Sequence, residues 1–385
     1  MFDLIIKNGF LIDPCLNVEE EYDIAFQGEK VAKIEKNIPI KEGVEIYDAS
    51  GKIVTPGLID LHTHLYWGVS HYGINADSSC LLKGVTTAID AGTSGAENFE
   101  GFKKYVIEKS ETRIIAFLHI SKMGLTLPQE IGELIDFRNL DFQKAVDMGS
   151  KYSDFIYGIK IRLNGDIVGE FGPQALVLAK EASNKLDKPL MVHPGNLPSN
   201  LPISDVLSTL GKGDIITHCF PPPYPPDLPN SIVLDSKNDV IPEVFDAIKR
   251  GVNFDVGHGR GSFSFETAEK AFEQGYFPTS ISTDLHSYSI IHPVYDMATT
   301  ISKFLNMGLP LRKIIELTTI SPASILGLDS QIGTLKEGYA GDATILHLEK
   351  GTFNFWDSIN SKRAGSEFIK VKDIVKGGKL HARCV

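Results

Sequence analysis

A His-x-His pair ends the apolar run Ile59-Asp60-Leu61-His62-Thr63-His64. Residues i and i+2 of a strand share a face. On a strand from Leu58 to His64 the two imidazoles therefore aim at one point, and a divalent cation fills that need. Lys160, His193, His218 and Asp284 follow, each at the C-terminal end of a later apolar run. Singly, each has a plainer reading: His193 or His218 as an ordinary core or surface histidine, Lys160 as a strand-end lysine reaching solvent, Asp284 as a helix cap. As an ordered set, the six point to a metal-dependent hydrolase.

Positioning six such residues requires strands that end together. The candidates are Leu58–His64, Thr86–Ala91, Arg113–Ile120, Ile156–Leu163, Pro189–His193, Asp214–His218, Val252–Val256 and Thr279–Asp284. Helical periodicity fills most of the intervals, as in Gln174–Asn184 and Phe265–Gln274. This alternation predicts an α/β fold, a (β/α)8 TIM-like barrel over residues 55–331 whose site lies at the C-terminal strand ends. The N-terminal runs Leu4–Gly9, Tyr22–Phe26 and Lys30–Ile34 alternate polar and apolar residues, predicting an antiparallel sheet. Ile332–Leu335, Asp342–Leu346 and Ile369–Val375 supply similar pieces at the other end. A small β-sandwich domain built from both chain termini, residues 1–54 plus 332–385, is the expectation.

Composition bounds the partners. The 385 residues are 42% hydrophobic, with 38 basic against 49 acidic residues and a net charge of -11. An acidic surface disfavours nucleic acid and anionic membranes, leaving a small-molecule substrate. Cys15, Cys80, Cys219 and Cys384 are scattered without a paired motif, which reads as free thiols in a reducing compartment. Neither a signal peptide nor a long apolar span is evident, so the cytoplasm is the expected location.

Two segments carry a family resemblance. Val54-Thr55-Pro56-Gly57-Leu58-Ile59-Asp60-Leu61-His62-Thr63-His64 is similar to the Pro-Gly-x-Ile-Asp-x-His-x-His opening of the amidohydrolase superfamily. Gly333-Thr334-Leu335-Lys336-Glu337-Gly338-Tyr339-Ala340-Gly341-Asp342-Ala343 resembles its closing segment. The resemblance implies that His62, His64 and Asp284 bind one metal and His193 and His218 a second, with a carboxylated Lys160 as the bridge. Nitrogen and oxygen donors without thiolate suit Zn2+. Two ions about 3.5–4 Å apart would acidify a water and polarise the scissile carbonyl, with Asp284 as catalytic base and proton carrier. Family members are commonly oligomers, so a homo-oligomer is expected.

Substrate contacts follow less directly. His258 and Arg260 sit in the Gly-rich segment after the seventh strand and are candidate partners for a substrate carboxylate, with a structural turn as the alternative. The glycine spacing is not that of a dinucleotide-binding loop. His286 lies two residues beyond Asp284 and is a further candidate. Arg162 is expected to face out of the barrel in a structural ion pair. His119 could line the pocket, and Pro221–Asp227 reads as a stiff active-site loop.

Within the superfamily, dihydroorotases resemble this chain but extend the opening to His-x-His-x-Arg, and Tyr66 stands in the arginine's place, where it is expected to contact the substrate. A carboxylate losing its bidentate partner binds poorly. The loop Gly257–Phe263 with Ser282–His286 instead resembles a branch that hydrolyses acetylated small acids. The resulting expectation is a deacetylase acting on a carboxylate-bearing ester or N-acyl compound. A cyclic amide hydrolase of the dihydroorotase or hydantoinase type is the alternative, and a metal-free scaffold the second.

Overall fold

The computed structural model describes residues 1–128, 130–222 and 232–382. Both chain ends enter one eight-stranded sheet. It is formed by β1 (Phe2–Asp13), β2 (Val18–Gln27), β3 (Lys30–Glu35), β4 (Gly43–Asp48) and β5 (Ile53–Pro56), then by the late strands Ala343–Trp356, Lys362–Lys376 and Lys379–Ala382. β1 pairs antiparallel with β2 but parallel with β4 and β5. The sheet is therefore mixed, not purely antiparallel. The expected strand at Ile332–Leu335 does not form. The Thr334 hydroxyl and the Leu335 N–H are instead spent on the buried Asp13 carboxylate, at 2.9 and 2.7 Å.

The middle of the chain builds a seven-stranded parallel sheet in sequence order: β6 (Leu58–Thr63), β7 (Val85–Gly95), β8 (Arg113–His119), β9 (Ile156–Arg162), β10 (Leu190–His193), β11 (Ile215–Ile216) and β12 (Asn253–Phe254). On β9 the outward Ile159 and Ile161 join the cluster packed against the helices, while Phe117 of β8 and Met191 of β10 turn inward with Ile59, Leu61 and Ile89. Ala323, Leu326, Leu328 and Ile332 close that inner cluster. Its alternation is the two-residue period of a parallel strand coated by helices.

The last three expected strands are shorter than the sequence suggests. β11 and β12 are two residues each, and Thr279–Asp284 forms no strand. Parallel bridges at Asp255↔Ser280, just past β12, and at Thr63↔Leu285, on β6, set that segment and the residue after it beside both edge strands. Positive φ at His218 (63°), Gly257 (47°) and Asp284 (48°) takes the backbone out of the extended region where these residues reach the site. Regular ladder and inward-turned ligands compete here, and the ladder yields.

Candidate metal centre and its pocket

His62 leaves β6 buried at 1% exposure. Its Nε2 lies 3.4 Å from Asp284 Oδ1, and His64 Nε2 lies 3.1 Å from the same oxygen. Asp284 Oδ1 is buried yet accepts no hydrogen bond among the described residues. A buried polar atom left bare is costly, and a cation between these three donors would satisfy it. His62, His218 and Asp284 offer donor atoms within 4.8 Å of one another. His193 Nδ1 lies 2.7 Å from His218 Nε2. Lys160 Nζ stands 3.5 Å from His62 Nε2. The six residues singled out in the sequence thus converge.

Electrostatics suit the same chemistry. Burial, then nearby cations, holds the His62 and His64 imidazoles well below their usual pKa, and burial with His218 does so for His193. Neutral imidazole is the form that binds metal. Burial also brings Lys160 down to about 7. Space for its stem comes from Gly92, where a Cβ would fall 2.6 Å from Lys160 Cγ.

Around this cluster lies a cavity of about 300 Å3 lined by Tyr72, Arg162, Arg260, His286 and Tyr288 among others. Arg260 reaches it with its guanidinium 6.0 Å from the Tyr288 ring. His286 forms an edge contact with Tyr72 at 5.2 Å, and burial lowers its pKa to about 4.

Three expectations about the walls need correction. His258 does not line the cavity. It is fully buried, stacked on Phe263, with Nδ1 2.9 Å from Gly259 O and Nε2 2.7 Å from Lys303 Nζ. Tyr66 also misses it: its ring packs on Phe102 at 4.9 Å and its hydroxyl turns to Asn98 O. Arg162, expected outside, lines the cavity, because it stands two residues after Lys160 and must share its face. Its Nη1 meets Glu133 at 3.1 Å and its guanidinium lies 5.9 Å from the Tyr72 ring. His119 ends β8 in register with Lys160, and its Nε2 has no partner among the described residues. Of the proline-rich run, residues 223–227 lie outside the described residues. Cys15, Cys80 and Cys219 are free thiols.

Sequence reasoning missed the groups behind the ligands. Asp60 accepts from the Thr283 N–H and hydroxyl, tying β6 to the Asp284 segment. Asp90 accepts from Leu65 N and Thr93 N at 2.7 and 2.8 Å. Burial raises these two carboxyls to about 7 and about 6. The Asp60-x-His62-x-His64 spacing was the available clue for Asp60; nothing local marks Asp90.

The described fold and cluster agree with known proteins. A deacetylase of Brucella anthropi is 36% identical over 332 residues, spanning 85% of this chain and 79% of the relative. The chain belongs to the amidohydrolase superfamily. The Amidohydrolase family model matches residues 259–380. The crystal structure of an adenine deaminase is similar at a TM-score of 0.89 and 32% identity, covering all of both chains. That of a dihydroorotase reaches 0.86 at 31%, covering 98% of this chain and 97% of the other. This amidohydrolase is a metal-dependent hydrolase. Among its described residues, no helix is long and apolar enough to cross a membrane.

Proposed function

We propose that this amidohydrolase removes a small acyl group from a carboxylate-bearing ester or N-acyl compound at a centre for two divalent metals held by the donors converged above. The observation that carries the reading is the placement of two guanidiniums, Arg162 and Arg260, in the same cavity as the His/Asp cluster. They offer bidentate recognition of a carboxylate next to the reacting bond. The 36% identical relative described as a deacetylase supports a small acyl group as the part transferred to water.

His62, His64 and Asp284 would hold one cation and His193 and His218 the other, with Lys160 as a carboxylated bridge. Carboxylation needs a neutral amine, which burial of Lys160 favours near neutral pH. Zinc bound by these donors supplies Lewis acidity, easing deprotonation of a water and polarising a carbonyl. The protein's own part is then positional and acid–base. Arg162 and Arg260 orient the substrate carboxylate, and His286 with Tyr72 walls the pocket. Asp284 accepts the attacking water's proton on its carboxylate and passes it to the leaving oxygen or nitrogen.

The same reading includes closure of the parallel sheet into a (β/α)8 barrel over residues 55–331, supported by the bridges of the Thr279–Asp284 segment to β12 and β6. It also includes a two-layer terminal domain over 1–54 and 332–385, and a homo-oligomer acting on a small molecule in the cytoplasm.

Arg162 favours one alternative. Because it supplies the cation that Tyr66 does not, a cyclic amide bearing a carboxylate, dihydroorotate above all, would find a partner here. The deciding experiment measures acetate release by zinc-loaded enzyme from acetyl esters of 2-hydroxy acids and from N-acetyl amino acids, beside dihydroorotate ring opening. Acetate release that stops with a chelator and returns with zinc is the expected result. Ring opening without acetate release would replace the deacetylase reading with the cyclic one.

A further inference from the structure

The Gly-rich segment after β12 does not serve the substrate through His258; its first residue, Asp255, lies at the centre of a hydrogen-bonded network behind the metal-ligand cluster. Asp255 is fully buried. Three hydroxyls converge on it: Ser280 at 2.7 Å on Oδ1, Ser282 at 2.6 Å and Thr217 at 2.8 Å on Oδ2. Two of them lead to different imidazoles. Thr217 Oγ1 lies 2.9 Å from His62 Nδ1. Ser282 Oγ accepts the Gly257 N–H at 3.0 Å, and the carbonyl of that glycine lies 2.6 Å from His218 Nδ1.

Proton bookkeeping gives the network a direction. A threonine hydroxyl has one proton, and Thr217 donates it to Asp255. Its oxygen can then only accept at His62, so Nδ1 of His62 must carry hydrogen and Nε2 must be bare. A backbone carbonyl only accepts, which fixes Nδ1–H on His218 in the same way and leaves its Nε2 bare. Both bare nitrogens face the Asp284 and His193 side of the cluster. Gly257 is part of the device: at its φ of +47° a Cβ would fall 2.2 Å from Thr217 Oγ1 and 2.9 Å from His218 Nδ1. Any larger residue would break both branches together.

We infer that Asp255 is a positioning residue which, through Thr217 on one branch and Ser282–Gly257 on the other, sets the tautomer and ring orientation of a ligand in each half of the centre. This rests on the metal-ligand part of the proposed function but not on the substrate. Partners that orient metal-bound histidines commonly contribute about 10–100-fold in metal affinity.

The test uses the full-length protein stripped of metal. Side-chain 15N spectra of the wild type should report Nδ1–H at both His62 and His218. Zinc affinity is then measured by competition with a chromophoric chelator in Thr217→Val, which keeps the shape and removes the hydroxyl, and in Thr217→Ser, which keeps the hydroxyl. Thr217→Val should bind zinc about 10–100-fold more weakly, with Thr217→Ser restoring wild-type affinity and Asp255→Asn losing at least as much as Thr217→Val. An Nε2–H signal at His62 in the wild type would overturn the inference without any variant. So would a Thr217→Val protein with wild-type affinity, or a Thr217→Ser protein as weak as it. Zinc binding that is absent already in the wild type would instead reject the metal centre itself.

Discussion

Two buried aspartates, one in the terminal sheet and one in the segment that follows the parallel sheet, differ in a way that separates structure from chemistry. Asp23 in the terminal sheet is 2% exposed, and both its oxygens are used: Lys7 Nζ and Ile38 N bond Oδ2, and Asn8 N bonds Oδ1. Lys7 is satisfied in turn by Ile38 O at 2.8 Å. Asp284, in the segment after the parallel sheet, is similarly buried at 8%, but its Oδ1 faces two imidazole nitrogens and accepts no hydrogen bond among the described residues. Buried charge is tolerated when paired and expensive when bare. A fold that leaves one bare is holding it for something it binds or moves. The contrast extends to the backbone, since Asp284 adopts φ 48°, a strained conformation of the kind that clusters at functional sites.

The sharpest way to break the comparison is to neutralise each aspartate. Asp284→Asn keeps the shape and removes the base; kcat/KM should fall about 10²–10⁴-fold while the melting temperature of the metal-free protein does not fall. A variant that loses stability in step with activity would make Asp284 a structural residue like Asp23. Conversely, Asp23→Ala strands the Lys7 ammonium in the interior and should cost about 3–5 kcal/mol in denaturant unfolding, with kcat/KM per folded molecule unchanged. Lost turnover in that variant, at unaltered stability, would reverse the assignment of the two regions.

The smallest expected effect concerns the link between them. Lys303 Nζ bonds Pro293 O at 2.9 Å and Trp356 O at 2.8 Å, and meets His258 Nε2 at 2.7 Å, tying the rim of the site to a strand of the terminal sheet. Burial lowers its pKa from 10.5 to about 7. Below about 7 both folded and unfolded chains carry the proton; between about 7 and 10.5 the unfolded chain binds more protons, so this residue makes stability rise with pH across that window. Lys303→Met should flatten the rise in melting temperature between pH 7 and 10 relative to wild type. An unchanged slope would mean that Lys303 stays charged and that His258 is held by something other than a neutral amine.

How much could be read beforehand follows the range of the interaction. The His62–His64 pair, the strand ends at Lys160 and His193, and the helices Gly172–Leu186 and Phe265–Glu273 rest on spacing of a few residues, and local periodicity carries that information. Arg162 was equally legible but misassigned to the outside: two residues from Lys160 on one strand, it could only share that face. The short β11 and β12 were not: the backbone leaves the extended region at His218 and Gly257, just past each strand, and no local apolar run marks that departure.

By itself, then, the sequence determined which residues could bind metal and the order of strands able to carry them, because both depend on residue type and short spacing. Only the tertiary structure decided that His258 is locked by Lys303 from 45 positions away, that Tyr66 packs on Phe102 instead of entering the cavity, and that Asp255 stands behind His62 and His218. Those outcomes depend on which hydrogen-bond donors and ring faces the closed packing brings within about 3 Å, and no pattern along the chain encodes that distance.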